Sequence, residues 1–435
     1  MSPPAILDLG QLQRVANFLG FGGPPKSQPT VRVGMLGASQ VATYAMIWPA
    51  RRVPTAEVVA VAARDGDRAR EYAKQHGIPR SYGSYEALLA DPDVDAVYVG
   101  LPNGLHGQWA RAALKAGKHV LCEKPFTANE EEAREVHALA RSRGLVCREA
   151  FHYREHPLMD HLRGLLLAAP SPSPGAAGTV HGNGGNGNGN GLLGRLQSVD
   201  VAVLIPKWVF GGANIRFQET LAGGAAMDAG CYCLHAIRSL VGGSPEVESA
   251  TAVMAPKSQV VDAAMTGTLR WRDGGNAGVR ASFRASLQHD GPFPVNTIDV
   301  RGDRGHLHCS NFIMPVFGNV VRLTTTAVPA GAEAGAGSSG KTTTTVTRVY
   351  GSGESTYYYQ LSRFARDVGT VKEATERGDA GSLFAASSIL SDDATDSIAN
   401  MRLIDAVYVA AGLAPRLPSA KAVKLQQQVD KAAVQ

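Results

Sequence analysis

The chain has 435 residues, 44% apolar and 19% charged. That balance excludes a mostly disordered chain, a collagen-like repeat and a membrane bundle, and the length suits about two or three domains. The 43 Lys and Arg against 38 Asp and Glu leave a charge of +5, spread without runs, so nothing asks for nucleic acid.

The five cysteines are Cys122, Cys147, Cys231, Cys233 and Cys309. Their odd number, low density and the single residue between Cys231 and Cys233 suit neither a disulfide framework nor a zinc ribbon. The expectation is a reducing, cytoplasmic setting and no metal. No apolar run reaches the ~18 residues of a membrane span.

Residues 1–30 read as an extension. Ile6, Leu9, Leu12, Val15, Ala16 and Leu19 recur at helical spacing, which predicts an amphipathic helix docked on the body. Gly22-Gly23-Pro24-Pro25 breaks it. The segment is neither Arg-rich nor free of acid, so it does not read as a transit peptide.

From Val31 the pattern predicts strands at 31–36, 58–63, 96–101, 119–122 and 145–150. Helices at 41–52, 67–76, 105–116 and 130–143 alternate with them. This alternation implies a doubly wound parallel sheet over 31–151. Within 152–413, β-rich stretches at 197–205, 245–255, 263–271, 278–287, 296–301, 305–309 and 320–326 have few helices between them. They predict a large, mostly antiparallel sheet. A helix at 396–411 follows, then a tail at 414–435. Gly182–Gly191 contains only Gly and Asn, so 168–191 is expected to be a flexible insertion, and 330–345 a second long loop.

The first strand runs into Gly37-Ala38-Ser39-Gln40-Val41-Ala42. Against the G-x-G-x-x-G/A pattern it offers Gly37 for the tight turn, Ser39 in the middle and Ala42 for close helix–strand packing. The second strand ends Ala63-Arg64-Asp65. Arg64 suits a ribose 2′-phosphate and hence NADP. The alternative is a solvated Arg64 with Asp65 on the ribose.

Farther on come Leu101-Pro102-Asn103-Gly104-Leu105-His106, Cys122-Glu123-Lys124-Pro125 and Glu149-Ala150-Phe151-His152-Tyr153-Arg154. Gly223-Gly224-Ala225-Ala226-Met227-Asp228-Ala229-Gly230-Cys231-Tyr232 follows. The series over residues 31 to 413 resembles the Gfo/Idh/MocA oxidoreductases, in particular their dihydrodiol and NADP-dependent D-xylose dehydrogenase branch. The resemblance implies a Rossmann domain plus an α/β domain with an open sheet, through which subunits pair as a homodimer. It also implies a small-molecule sugar or diol substrate.

The cofactor set is then Gly37, Ser39, Gln40, Val41, Arg64, Leu101, Asn103, His106, Glu123 and Lys124. Oxidising an alcohol needs an aimed C–H, a base for the hydroxyl proton and a charge favouring the developing alkoxide. Lys124, just past a parallel strand, corresponds to the family lysine near nicotinamide and substrate. Tyr232 falls where sugar and diol members carry a Tyr. It is expected as general acid/base, with Lys124 lowering its pKa from the free value near ~10. The alternative for Tyr232 is a packed helix residue. Asp228, four residues earlier, is expected to orient Lys124 or a sugar hydroxyl. Arg154, Trp208 and His235 are candidate substrate residues, with a structural role the alternative for His235.

The function expected is oxidation of a sugar or cyclic trans-diol with NADP⁺, D-xylose first. A non-catalytic NADP-binding regulator, and a glucose–fructose oxidoreductase type with tightly held cofactor, are the competing readings.

Overall fold

The computed structural model describes residues 9–167, 191–211, 214–256, 258–327, 341–424 and 427. Apart from Gly191, the expected insertion at 168–191 lies outside these residues, as does 330–340 of the second expected loop.

The first sheet contains β1 Val31–Leu36, β2 Ala56–Ala62, β3 Arg80–Tyr82, β4 Ala96–Val99, β5 His119–Glu123 and β6 Cys147–Ala150. All pair in parallel, in the order β3-β2-β1-β4-β5-β6. The order reverses between β1 and β4, so the crevice outside their carboxyl ends is the place for a ligand. Every residue of β4 and β5 is buried, as strands covered on both faces require.

Helix α1 is Leu9–Phe18, ahead of the sheet. The run after β1 is α2 Gln40–Ala42, a π-helical turn Thr43–Ile47 and α3 Trp48–Arg52. It continues with α4 Gly66–His76, α5 Tyr85–Leu89, α6 His106–Lys115 and α7 Glu130–Arg143. Local chemistry sets the ends. Asp65 accepts the Asp67 and Arg68 amides and Asn129 accepts the Glu132 amide, while Gly77 and Gly144 close α4 and α7 in left-handed conformation. β3 and α5 lie beyond the sequence expectation, since three residues are too few to show an alternation.

α1 docks as expected, but only the C-terminal part of its stripe, Val15, Ala16 and Leu19, is half-buried. Leu9 is 86% exposed and Leu12 49%. The contacts are Asn17 Nδ2 donating to Gly353 O (3.1 Å), Arg14 Nε donating to Val316 O (3.3 Å), and Phe18 edge-on to Trp48 and Phe317.

The second half contains α8 Pro157–Leu167, β7 Leu196–Pro206, α9 Cys231–Val241, β8 Glu246–Met254, β9 Asp262–Arg270 and β10 Arg280–His289. β11 Val295–Gly302, β12 Gly305–Ser310, β13 Val320–Thr326, β14 Thr342–Thr347, α10 Thr356–Arg377 and α11 Ala380–Ala410 complete it. The eight strands run β14-β13-β12-β11-β7-β10-β9-β8, antiparallel except for the β7–β10 pair. Strand alternation buries Val199, Val201, Ala281, Phe283 and Ala285 on one face, where α9 packs. Asp200, Thr266, Thr268 and Arg284 point to the other and are exposed.

Two expectations change here. The last residues of the expected loop 330–345 belong to the edge strand β14, where a β-branched threonine run pairs with β13. Two long helices also close the chain rather than the one expected at 396–411. α10 lays Leu361, Phe364 and Val368 against the first sheet's own core, alongside Val33 and Met35. The segment expected as a tail at 414–435 is, near its start, part of the body. Arg416 is 5% exposed, donates to Asp262 Oδ1 (2.8 Å), and its carbonyl accepts Asn129 Nδ2 (2.8 Å).

At Gly224 φ is +137°, and a Cβ would meet Asp262 Oδ1 and Tyr408 Oη. Only glycine fits there, just before the turn that carries Asp228.

Candidate active site

A cavity of about 700 Å³ opens at the carboxyl ends of β1 and β4 and is lined from both halves of the chain. Gly37 follows β1 with φ +106°, and a Cβ there would lie 2.8 Å from Gly100 O after β4. The bare backbone turn is what a pyrophosphate needs for close approach. Ser39 and Val41 line the cavity; Ser39 Oγ accepts the Ala42 amide (3.2 Å) and starts the helical run 40–52. Gln40 lies in the same turn but not on the cavity wall.

Two groups missed in the sequence fix this turn. Arg68 Nη2 donates to Ala38 O (2.8 Å) and Tyr72 Oη donates to Ser39 O (2.9 Å).

At the end of β2, Arg64 lines the cavity. Asp65 also borders it, but its Oδ1 is taken by the Asp67 and Arg68 amides in the first turn of α4. On the β4 side, Leu101 and Asn103 line the wall, and Asn103 Nδ2 donates across to Ala222 O (3.1 Å). The buried His106 ring lies between two carbonyls, Nδ1 2.8 Å from Pro125 O and Nε2 2.7 Å from Leu101 O. It thereby ties the β4 loop to the β5 loop. Glu123 is buried and accepts Tyr98 Oη (2.8 Å), and burial raises its carboxyl.

Lys124 leaves β5 through a cis peptide to Pro125. Its Nζ donates to Asp228 Oδ1 (3.0 Å) and to Asp228 O (3.1 Å). Arg216 Nε donates to the other carboxylate oxygen, Oδ2 (2.7 Å). Burial alone would raise the Asp228 carboxyl; Lys124 and Arg216 outweigh it and hold the group well below the usual carboxylate range. Burial likewise works against charge on Lys124, and Asp228 more than offsets it, so the ammonium persists.

Asp228 sits in the π-helical turn Ala226–Gly230 and Tyr232 at the second residue of α9; both face the cavity. Lys124 Nζ lies over the Tyr232 ring, 4.8 Å from its centroid. The expected lowering of the Tyr232 pKa does not occur. Burial pushes the phenol well above its usual value, and Cys231, Glu123 and Asp228 add to the rise. Lys124 meets the face of the ring rather than its hydroxyl, and burial dominates.

Tyr232 Oη instead has a hydrogen-bond partner in His152, at 3.0 Å from Nε2. His152, Arg216, Tyr44 and Tyr357 were not picked out as site residues. His152 begins the segment after β6, on the same carboxyl edge as Lys124, and that placement was the available signal. Arg216 comes from a single 3₁₀ turn, Ile215–Phe217, which gave none.

Three expected substrate residues stand elsewhere. Arg154 is held by Asp393 (2.6 Å) and Asp396 (3.1 Å) from α11. His235 lies between Tyr153 Oη and Asp396 Oδ2 and stacks on Phe151. Both belong to a buried polar network behind the wall. Trp208 is 69% exposed, donates to Pro292 O (3.2 Å) and does not line the cavity. Among the described residues, no group of three or more His, Cys, Asp or Glu could hold a metal ion, and all five cysteines are free and buried. No helix there is long and apolar enough to cross a membrane.

Comparison with known proteins places this geometry. Residues 31–151 match the model of the Gfo/Idh/MocA oxidoreductase family, NAD-binding Rossmann fold, and residues 189–308 match the Gfo/Idh/MocA C-terminal domain. The chain is 38% identical over 252 residues to a D-xylose 1-dehydrogenase (NADP(+)) 2 of Haloferax volcanii, covering 58% of this chain and 69% of that one. It is 36% identical over 262 residues to a trans-1,2-dihydrobenzene-1,2-diol dehydrogenase of Bos taurus, covering 59% and 67%. A solved 3-ketoreductase from Actinomadura kijaniata, in complex with NADP and TDP-benzene, superposes with a TM-score of 0.68 at 25% identity, covering 88% of this chain and 98% of that one. The chain belongs to the Gfo/Idh/MocA family and is an NAD(P)-dependent oxidoreductase.

Proposed function

We propose that the protein oxidises a secondary alcohol of a pyranose or cyclic trans-diol with NADP⁺, with D-xylose giving the 1,5-lactone as the main reaction. The observation that carries this reading is one cavity lined both by Arg64 and by the Lys124–Asp228–Tyr232 cluster. Residues 31–151 then serve as the cofactor domain and 152–413 as the substrate and pairing domain, with a homodimer formed through the open face of the second sheet. Five reduced thiols suit a cytoplasmic setting.

The residues present fit a dinucleotide, because the turn at Gly37 leaves no room for a side chain. Gly37, Ser39 and Val41 would hold the pyrophosphate side. Arg64 would hold a ribose 2′-phosphate, and Asp65 is engaged as a helix cap. Bound nicotinamide supplies a two-electron hydride acceptor. Lys124 stabilises the developing alkoxide, Asp228 fixes the lysine, and Tyr232 exchanges the hydroxyl proton. At an aldopyranose C1 the ring oxygen stabilises positive charge as hydride leaves. A trans-diol presents two adjacent equatorial hydroxyls much as a pyranose does, which fits the names of the two similar dehydrogenases.

The test is turnover with NADP⁺ across D-xylose, D-glucose, myo-inositol and a trans-cyclohexanediol, with products identified by NMR. Preference for D-xylose and a lactone product supports the reading. Preference for myo-inositol, or a ketone from xylose, contradicts it.

A further inference from the structure

Tyr232 is buried and keeps its proton, so it can take a proton from substrate only if its own has somewhere to go. His152 Nε2, 3.0 Å from Tyr232 Oη, is the group in reach. The far side of the ring is also engaged: Nδ1 lies 2.8 Å from Thr356 Oγ1, the first residue of α10. Thr356 directs its own hydroxyl hydrogen at Met314 Sδ (3.9 Å), leaving an oxygen lone pair for His152 Nδ1–H. That selects the tautomer with a bare Nε2, which accepts the Tyr232 hydroxyl hydrogen. The imidazole stacks on Tyr357, ring centroids 4.0 Å apart, so it cannot turn away.

We propose that His152 is a positioning residue and proton acceptor for Tyr232. The inference deepens the functional reading above and rests on it.

The carbinol C–H bond breaks and its electron pair leaves as hydride to the nicotinamide acceptor, while the substrate O–H bond breaks and the C=O bond forms. The substrate proton goes to Tyr232 Oη, and the proton Tyr232 carried goes to His152 Nε2. Tyr232 stays neutral and His152 becomes an imidazolium. When product leaves and water enters, the imidazolium returns its proton to Tyr232, which passes its own to water.

The surroundings oppose charge on His152, so an imidazolium there gives its proton back readily. Burial holds the resting imidazole neutral, with its pKa down at about 3, and Lys124 and His156 push the same way. The groups facing the pair are Lys124 after β5, Thr356 and Tyr357 on α10, and His156 in its own segment. On the tyrosine side they are Tyr44, Glu123, Tyr153, Arg216, Asp228 and Cys231. The two cations near the pair, Lys124 and Arg216, are both ion-paired with Asp228.

The experiment uses the full chain, wild type and His152→Gln, with His152→Phe as a variant that keeps the stacking. Glutamine keeps a hydrogen-bond partner for Tyr232 but cannot take up a proton. Both variants are first checked for unchanged melting temperature and NADP affinity. The expected result for His152→Gln is a fall in kcat of about 10²-fold with KM within about threefold, the size of a lost proton-transfer partner. Its log kcat should climb with pH where the wild type is flat, because only solvent base can then relieve Tyr232. Independently of turnover, ¹⁵N NMR of the cofactor-free protein should show His152 with Nδ1 protonated and Nε2 bare. Wild-type kcat and pH profile in His152→Gln, or a protonated Nε2, would overturn the relay while leaving the dehydrogenase reading intact. A wild type that binds NADP but oxidises no alcohol would overturn both.

Discussion

Lys124 Nζ and Asp228 Oδ1 lie 3.0 Å apart across the join between the two halves of the chain, one from the end of β5 and the other from the turn before α9. Neither group is more than 13% exposed at its side chain, so the pair sits at low dielectric with Arg216 closing it from the other side. The ammonium is thereby kept charged and aimed into the cavity.

Lys124→Met should therefore keep cofactor binding and lose kcat by at least ~10²-fold, as expected when a positioned catalytic group is removed. The variant also leaves Asp228 with Arg216 alone, so a small loss of melting temperature should accompany it. Steady-state kinetics beside a direct NADP titration checks this, and near-normal kcat would contradict the assignment.

Arg64→Ala should weaken NADP more than NAD, because only NADP carries the 2′-phosphate. A charge-assisted contact is worth about 1.5–3 kcal/mol, or roughly ten- to hundredfold in Kd. Fluorescence titration of both cofactors separates the cases. Equal losses would show that Arg64 does not read the phosphate.

Gly37→Ala should abolish tight cofactor binding. The residue has φ +106°, and the new Cβ would approach Gly100 O to 2.8 Å. Backbone strain there costs about 1–2 kcal/mol before the clash is counted. Calorimetric titration checks it; wild-type NADP affinity in this variant would remove Gly37 from the phosphate turn.

Much of this was legible in the sequence, for physical reasons. β1 and β13 fall at their expected bounds because runs rich in apolar or β-branched residues are bounded there by Gly37 and Asn319. Gly37, Lys124, Asp228 and Tyr232 share one cavity because strand ends and the turn before α9 are fixed by local pattern. What was not legible depends on distant contacts. Arg154 is a candidate substrate residue from sequence, yet Asp393 and Asp396, more than two hundred residues away, hold its guanidinium. The Tyr232 pKa depends first on burial and then on the neighbouring Cys231, Glu123 and Asp228, and neither burial nor Glu123's approach is a property of residue order. α10 carries a mix of polar and apolar residues whose buried stripe is visible only against the sheet it covers.

Acidification should destabilise the fold through histidines buried in neutral form. His119 accepts the Val146 amide at Nδ1 (3.0 Å), and burial lowers its pKa to about 4, against an ordinary value of ~6.5. Between those values the unfolded chain binds the proton and the folded chain does not. The stability is thus fully present above pH ~6.5 and is lost as pH falls toward 4, at about 1.4 kcal/mol per pH unit for the group. His137, also lowered to about 4 by burial, acts in the same direction. Thermal melts at about pH 7.5 and 5 should show a drop for the wild type and a shallower drop for His119→Asn. Parallel drops would contradict the assignment.

The central claim is that hydride leaves C1 of the sugar while Tyr232 handles the proton. The most direct test is a single turnover of D-xylose deuterated at C1 with NADP⁺, on wild type and Tyr232→Phe, read by mass and NMR of the reduced cofactor. The wild type should transfer the deuterium fully to the nicotinamide ring, with a lactone as product, and Tyr232→Phe should be at least ~10²-fold slower at similar substrate affinity. Deuterium retained in the oxidised sugar, or an unchanged rate in Tyr232→Phe, would contradict it.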